Sequence, residues 1–196
     1  MRRARSLAWL GLAWHGFEAA VAFAAGIAAG SIALVGFGAD SLVEMVAGVV
    51  LLWRFAGERA GSDRAERRAQ KLIGASFLVI AVYVAVEAVR TLLAGQHPEA
   101  SYVGIGLSIA TLATMPPLAA AKARVGEALG SSATKSEGRQ NLICAYLSAA
   151  LLIGLSANAL LGWWWADPVA ALLIAVAAVR EGREAWRGKS CAGDCC

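Results

Sequence analysis

The chain has 196 residues, of which 59% are hydrophobic and only 16% are charged. A soluble domain of this length does not need so large an apolar fraction for its core, so the composition predicts a membrane protein. The formal net charge of +4 is small and gives no reason to expect a nucleic-acid-binding surface.

Six apolar segments are each long enough to cross a bilayer, whose hydrocarbon core of roughly 30 Å requires about 20 helical residues. In chain order they occupy residues 7–30, 32–54, 72–93, 102–123, 140–162 and 168–186. We therefore predict an all-α membrane protein with six transmembrane helices. The transmembrane domain is expected over residues 1–187, followed by a short Cys-rich tail over residues 188–196, with no soluble C-terminal domain.

The basic residues predict the orientation of the helices, because Lys and Arg in short connections stay on the cytoplasmic side. They cluster before the first segment, between the second and third, between the fourth and fifth, and after the sixth. The cluster between the fourth and fifth segments consists of Lys122, Arg124, Lys135 and Arg139. Both termini are therefore predicted to be cytoplasmic, in a multi-pass protein of the cytoplasmic membrane. The basic clusters are interpreted as orientation signals and not as nucleic-acid contacts.

Two carboxylates lie inside the second segment, where Asp40 and Glu44 are separated by four residues. This spacing places both side chains on one helix face. An acidic side chain near the centre of a bilayer costs roughly 2.5–3.5 kcal/mol even on lenient insertion scales, so such residues usually face a cavity and bind something. A pair of carboxylates on one face at membrane depth indicates a cation site.

Three stretches of the sequence resemble one known family, the cation diffusion facilitators or cation efflux proteins. They are Gly30-Ser31-Ile32-Ala33-Leu34, then Asp40-Ser41-Leu42-Val43-Glu44, and finally Ala166-Asp167-Pro168-Val169-Ala170-Ala171-Leu172. The resemblance implies export of divalent metals, commonly zinc, in exchange for protons. It also implies a four-ligand site shared by the second and fifth helices, to which Asp40 and Glu44 contribute.

The fifth helix departs from the family pattern of His followed four residues later by Asp. An ungapped comparison places Gln140 at the histidine and Cys144 at the aspartate. A Gln oxygen is a weak neutral ligand, whereas a Cys thiolate is strong and soft and prefers zinc, cadmium or similar ions. A helix that begins near residue 133 places both residues at the depth of Glu44, whereas a helix that begins at Gln140 leaves them at the rim.

The first segment offers a histidine and a further carboxylate, His15 and Glu18, one helical turn apart. Their distance from the cytoplasmic end, about 12–17 Å by helix rise, is close to that of Glu44. His15 is an additional metal ligand or a proton carrier for exchange. The alternative is an ordinary hydrogen bond between His15 and a neighbouring helix.

Three cysteines, Cys191, Cys195 and Cys196, end the chain. On the cytoplasmic side they should stay reduced, so they could capture a soft metal for the transport path. The alternative is a frayed terminus whose cysteines are incidental.

The expected function is efflux of a divalent transition metal by proton antiport, with zinc or cadmium as the transported ion and no permanently bound cofactor. The alternative is a non-transporting membrane metal sensor or partner subunit with a degenerate site. The expected partners are the metal ion, protons and the lipid bilayer, with a homodimer left open and no nucleic acid. No pattern typical of an enzyme is present, because nothing combines a nucleophile and a base with an oxyanion stabiliser.

Overall fold

The computed structural model describes residues 2–54, 63–128 and 132–187, and these residues form six α-helices without any strand. The helices are α1 (Arg2–Ala29), α2 (Ile32–Arg54), α3 (Asp63–Ala94), α4 (Tyr102–Ala128), α5 (Ser132–Leu161) and α6 (Ala166–Trp186). The prediction of an all-α fold with six helices is confirmed for the described residues. The tail cysteines Cys191, Cys195 and Cys196 lie outside them.

Four of the helices contain an apolar stretch that is long enough to cross a bilayer. These stretches are Ser6–Ala29 in α1, Gly74–Ala94 in α3, Tyr102–Ala128 in α4 and Gly138–Leu161 in α5. Large apolar side chains on their outer faces, such as Ile27, Leu93 and Leu160, are more than 70% exposed. A lipid environment accounts for such a surface, so the chain is a multi-pass membrane protein.

The connection between α4 and α5 is shorter than the sequence predicts. Lys122 and Arg124 lie within α4, and Arg139 lies within α5, so none of them belongs to a loop. Ala, Lys and Arg favour helix, and the run from Ala119 to Arg124 contains no residue that breaks one. Because α5 begins at Ser132, Gln140 and Cys144 lie two to three turns inside the helix and not at its rim.

Two groups of helices build the bundle. Helices α1, α2, α4 and α5 surround a shared core that includes Leu34, Phe37, Met115 and Leu151. Helices α3 and α6 pack against each other and against α2, with α6 also contacting α5. A smaller apolar cluster of Val43, Phe77, Ala81 and Ala178 fills the contact between α2 and the α3–α6 pair.

A tight corner joins α1 to α2 and sets how the two helices pair. Gly30 has a φ of 65°, a left-handed conformation that glycine adopts without steric penalty, and the Ser31 N–H donates to the Gly26 carbonyl over 2.9 Å. Further along, a Cβ at Gly38 would lie 3.2 Å from the Ala22 Cβ. The absence of a side chain at Gly38 therefore allows α2 to run close beside α1.

The carboxylate of Asp167 holds this corner to the beginning of α6. The Ser31 hydroxyl donates to Oδ1 of Asp167, and the Ala33 N–H donates to Oδ2 over 3.4 Å. The same Ser31 oxygen accepts the Leu34 N–H over 3.1 Å. Asp167 is completely buried. It thus satisfies groups at the N-terminus of α2, where helix N–H groups lack partners within the helix.

Substitution Asp167→Ala is expected to destabilise the protein by about 1–3 kcal/mol, because it leaves a buried hydroxyl and a buried N–H without their acceptor. Thermal unfolding of the purified protein in detergent, followed by circular dichroism, measures this change. Glu99→Ala removes a carboxylate from an exposed position at the same end of the bundle and serves as the control. Equal melting temperatures for the two variants would contradict the role of Asp167.

Candidate metal centre

Three side chains from three helices converge inside the four-helix core. His15 of α1, Glu44 of α2 and Cys144 of α5 each offer one ligand atom, and these atoms lie within 4.8 Å of one another. The three residues are 6%, 7% and 0% exposed. We call them the buried centre. Donor atoms around a tetrahedral zinc ion are roughly 3–4 Å apart, so only a small inward movement would enclose an ion.

The hairpin of α1 and α2 explains why His15 meets Glu44. His15 lies 15 residues before Gly30 in the sequence, and Glu44 lies 14 residues after it. At the rise of an α-helix both residues are therefore about 21–23 Å from the corner, at the same level on two antiparallel helices. Cys144 reaches this level from α5, three turns after that helix begins.

The Glu44 carboxylate has an oxygen that no hydrogen bond satisfies. Its Oε2 atom lies 3.1 Å from Nδ1 of His15, within ion-pair range, but it is buried and accepts no hydrogen bond within the described part of the chain. Buried polar atoms in proteins are nearly always hydrogen-bonded. An unsatisfied carboxylate oxygen beside an imidazole and a thiol fits a position where a cation would bind.

Glu18 lies beside the buried centre and contacts every helix of the four-helix core. Its Oε2 atom accepts the Ser41 hydroxyl of α2 over 2.9 Å, and it lies 3.8 Å from Sγ of Cys144 and 3.3 Å from Nδ1 of His15. Its Oε1 atom accepts the Thr111 hydroxyl of α4. Glu18 is completely buried. It is therefore placed to orient both His15 and Cys144.

The other candidate residues lie one turn to either side of the buried centre. Asp40 is 4% exposed and precedes Glu44 by one turn of α2, whereas Gln140 is half-buried and precedes Cys144 by one turn of α5. Because α2 and α5 run in opposite directions, Asp40 and Gln140 lie at opposite ends of this group of residues.

Sequence reasoning missed the hydroxyl groups that hold Glu18 and a polar pair below the buried centre. Ser41 belongs to the quoted family motif, but nothing in the sequence pairs it with Glu18, and Thr111 is an isolated polar residue in an apolar segment. In the polar pair, Lys122 is 4% exposed and donates to Oδ1 of Asn141 over 3.1 Å. The uninterrupted helix-forming run around Lys122 was the available signal that it lies inside α4.

Comparison with known proteins gives the family. The sequence model of the cation efflux transmembrane domain matches residues 8–187. The chain belongs to the cation efflux family. This is a family of transporters, and the match confirms the resemblance found in the three sequence stretches.

Two curated relatives of this cation efflux chain are distant. An uncharacterized transporter of Synechocystis sp. is 26% identical over 151 residues, covering 73% of this chain and 49% of the relative. Transmembrane protein 163 of Xenopus laevis is 25% identical over 153 residues, covering 78% of this chain and 54% of the relative. The cation efflux chain therefore spans about half the length of the curated relatives it matches.

The hydroxyl of Thr111 provides a test of the arrangement around Glu18. Thr111→Val keeps the shape of the side chain but removes its donor, so we expect the affinity for Cd²⁺ to fall about tenfold, as for partners of metal ligands. Thr114→Val is the matched control, because the Thr114 hydroxyl donates only to the Ala110 and Thr111 carbonyls of its own helix. Calorimetric titration of both variants checks this, and equal affinities would contradict the role of Thr111.

Proposed function

We propose that this protein exports a divalent transition metal, zinc or cadmium, across the cytoplasmic membrane in exchange for protons. The observation that carries the proposal is the convergence of a nitrogen, an oxygen and a sulfur ligand at the buried centre, within the core of a cation efflux domain. Membership in a transporter family supports movement of the ion through the protein.

All six helices cross the bilayer in this proposal, with both termini on the cytoplasmic side. In that orientation α5 runs outward and α2 runs inward, so Gln140 lies on the cytoplasmic side of the buried centre and Asp40 lies on its outer side. A metal ion from the cytoplasm passes Gln140, loses water to His15, Glu44 and Cys144, and reaches Asp40 on its way out. The bundle then changes conformation and opens to the other side.

Protons return in the opposite direction. Protonation of the carboxylates in the outward-open form reduces their affinity for the ion and releases it. His15 is the second proton carrier in this scheme, because histidine changes its charge near physiological pH. The metal is cargo and not a resident cofactor, so the buried centre binds it only transiently.

The donor set supports zinc or cadmium as the cargo. Thiolate and imidazole ligands favour zinc and softer ions, whereas manganese and magnesium favour oxygen ligands. Cys144 replaces the hard aspartate of the family pattern, and this replacement shifts the preference toward softer metals. The three cysteines of the tail add to that preference if they capture metal at the cytoplasmic surface.

A metal sensor or partner subunit that does not transport is the alternative proposal. Its supporting observation is the absence from α5 of the histidine and aspartate of the family pattern, where the chain has Gln140 and Cys144. Such a protein would bind metal without moving it, either as a homodimer or with a different transporter subunit.

Transport by purified protein in liposomes tests the proposal. Uptake of zinc, cadmium, manganese, cobalt and iron is followed with a metal-sensitive dye inside the vesicles, with and without an imposed pH gradient. We expect gradient-dependent uptake of zinc and cadmium above that of protein-free liposomes. Stoichiometric binding without uptake would support the sensor instead, and the absence of both from folded protein would rule out both proposals.

A further inference from the structure

A buried lysine lies close to the buried centre and takes no part in the function proposed above. Lys122 of α4 is 4% exposed, and its ammonium group donates to Oδ1 of Asn141 over 3.1 Å. The ammonium also lies against α1, because a Cβ added at Gly11 would be 2.8 Å from Nζ. The charge is thus enclosed between α1, α4 and α5.

The sequence positions of these contacts place the ammonium below the buried centre. Gly11 precedes His15 by four residues, and Asn141 precedes Cys144 by three. On both helices this is one turn, about 4.5–6 Å, toward the cytoplasmic end in the proposed orientation. The charge is near enough to interact with the Glu44 carboxylate. The ammonium therefore lies on the cytoplasmic side of the metal ligands, at short range.

A permanent charge in this place is expensive to maintain, because a lysine inside a membrane protein requires polar or charged partners. The nearby carboxylates Glu18 and Glu44 supply negative charge, and Asn141 supplies a hydrogen-bond acceptor. The same ammonium repels a divalent cation that approaches those carboxylates, since like charges in a low-dielectric interior interact strongly. A neutral or apolar residue at position 122 would avoid both effects.

We propose that Lys122 is a built-in competitor of the transported metal, which balances the carboxylates of the empty buried centre and weakens metal binding. Conduction requires a site that binds an ion firmly enough to admit it but loosely enough to release it. A thiolate, an imidazole and several carboxylates together would bind zinc or cadmium very tightly, and the adjacent ammonium limits that affinity. Lys122 is thus an affinity-determining residue that does not touch the metal, and its role rests on the proposed function.

The test compares equilibrium binding of Cd²⁺ to the purified full chain and its variants by calorimetry, with Co²⁺ absorption reporting the thiolate ligand. Lys122→Met keeps the length of the side chain and removes the charge, so we expect at least about tenfold tighter Cd²⁺ binding. Lys122→Arg keeps the charge and should leave the affinity within about threefold of the unaltered protein. Arg124→Met makes the same change of charge at an exposed position two residues away in α4 and should leave the affinity unchanged.

Asn141→Leu separates charge from structure, because it removes the hydrogen-bond partner of Lys122 but keeps the ammonium. A purely structural role predicts that Asn141→Leu and Lys122→Met change metal binding alike, whereas competition predicts tightening in Lys122→Met alone. Equal or weaker Cd²⁺ binding by folded Lys122→Met would overturn this inference and leave the metal centre intact. No Cd²⁺ binding by the unaltered protein would overturn the metal centre and this inference together.

Discussion

Substitution Glu44→Gln is expected to abolish metal transport and to weaken Cd²⁺ binding by at least about 100-fold. Loss of a residue that only supports a metal ligand already costs 10–100-fold in affinity, and Glu44 is itself the ligand whose Oε2 atom accepts no hydrogen bond. The glutamine side chain has nearly the same shape, so the fold should be preserved. Binding is measured by calorimetry, and transport is measured as gradient-driven uptake into liposomes.

Glu87→Gln is the matched control for Glu44→Gln. Glu87 is a carboxylate in the α3 segment that pairs with Arg90 at the surface, where the Arg90 Nη1 atom donates to Glu87 Oε1 over 2.9 Å. Its substitution removes the same charge at a distance from the buried centre and should leave uptake unchanged. Transport by Glu44→Gln at the rate of the unaltered protein would contradict the proposed metal centre.

Substitution of Cys144 is expected to change which metal is transported. Cys144→Ser should lower cadmium uptake by at least about tenfold relative to manganese uptake, because a soft thiolate is replaced by a weak hydroxyl ligand. Cys144→Asp restores the carboxylate of the family pattern and should recover zinc uptake but not the preference for cadmium. Competition between metal pairs in the liposome assay measures the ratios directly.

The cysteines of the tail require their own control in this experiment. A variant with Cys191, Cys195 and Cys196 all replaced by serine keeps Cys144 as the single thiol of the chain. If the buried centre decides selectivity, this variant should show the metal ranking of the unaltered protein. A loss of cadmium preference in the tail variant, with none in Cys144→Ser, would assign selectivity to the tail instead.

Much of the fold could be predicted because a bilayer restricts what the sequence can do. Long apolar segments of suitable length gave the six helices, and the corner at Gly30 with its equal spacing to His15 and Glu44 was already present in the numbering. The position of Lys122 was not predicted, since positive residues at the end of an apolar segment usually mark a connection. Only the packing of α1, α4 and α5 shows that this lysine points inward.

The candidate site was predictable in composition but not in geometry. Asp40, Glu44, His15 and Cys144 all attracted attention as chemically reactive residues in apolar surroundings. The sequence does not specify the rotation of each helix, and this rotation decides that His15 joins Glu44 and Cys144 while Asp40 lies one turn away. Thr111 meets Glu18 across a separation of 93 residues, and no local pattern encodes such a contact.

The contacts of Glu18 also bear on how the chain is made. Its partners lie progressively later in the sequence, with Ser41 23 residues away, Thr111 93 and Cys144 126. During synthesis α1 emerges first, and an isolated acidic side chain in a bilayer is unfavourable. We therefore expect α1 to remain unstable in lipid until α2 supplies Ser41, so that the two helices insert together as a hairpin, with α4 and α5 docking onto them afterwards.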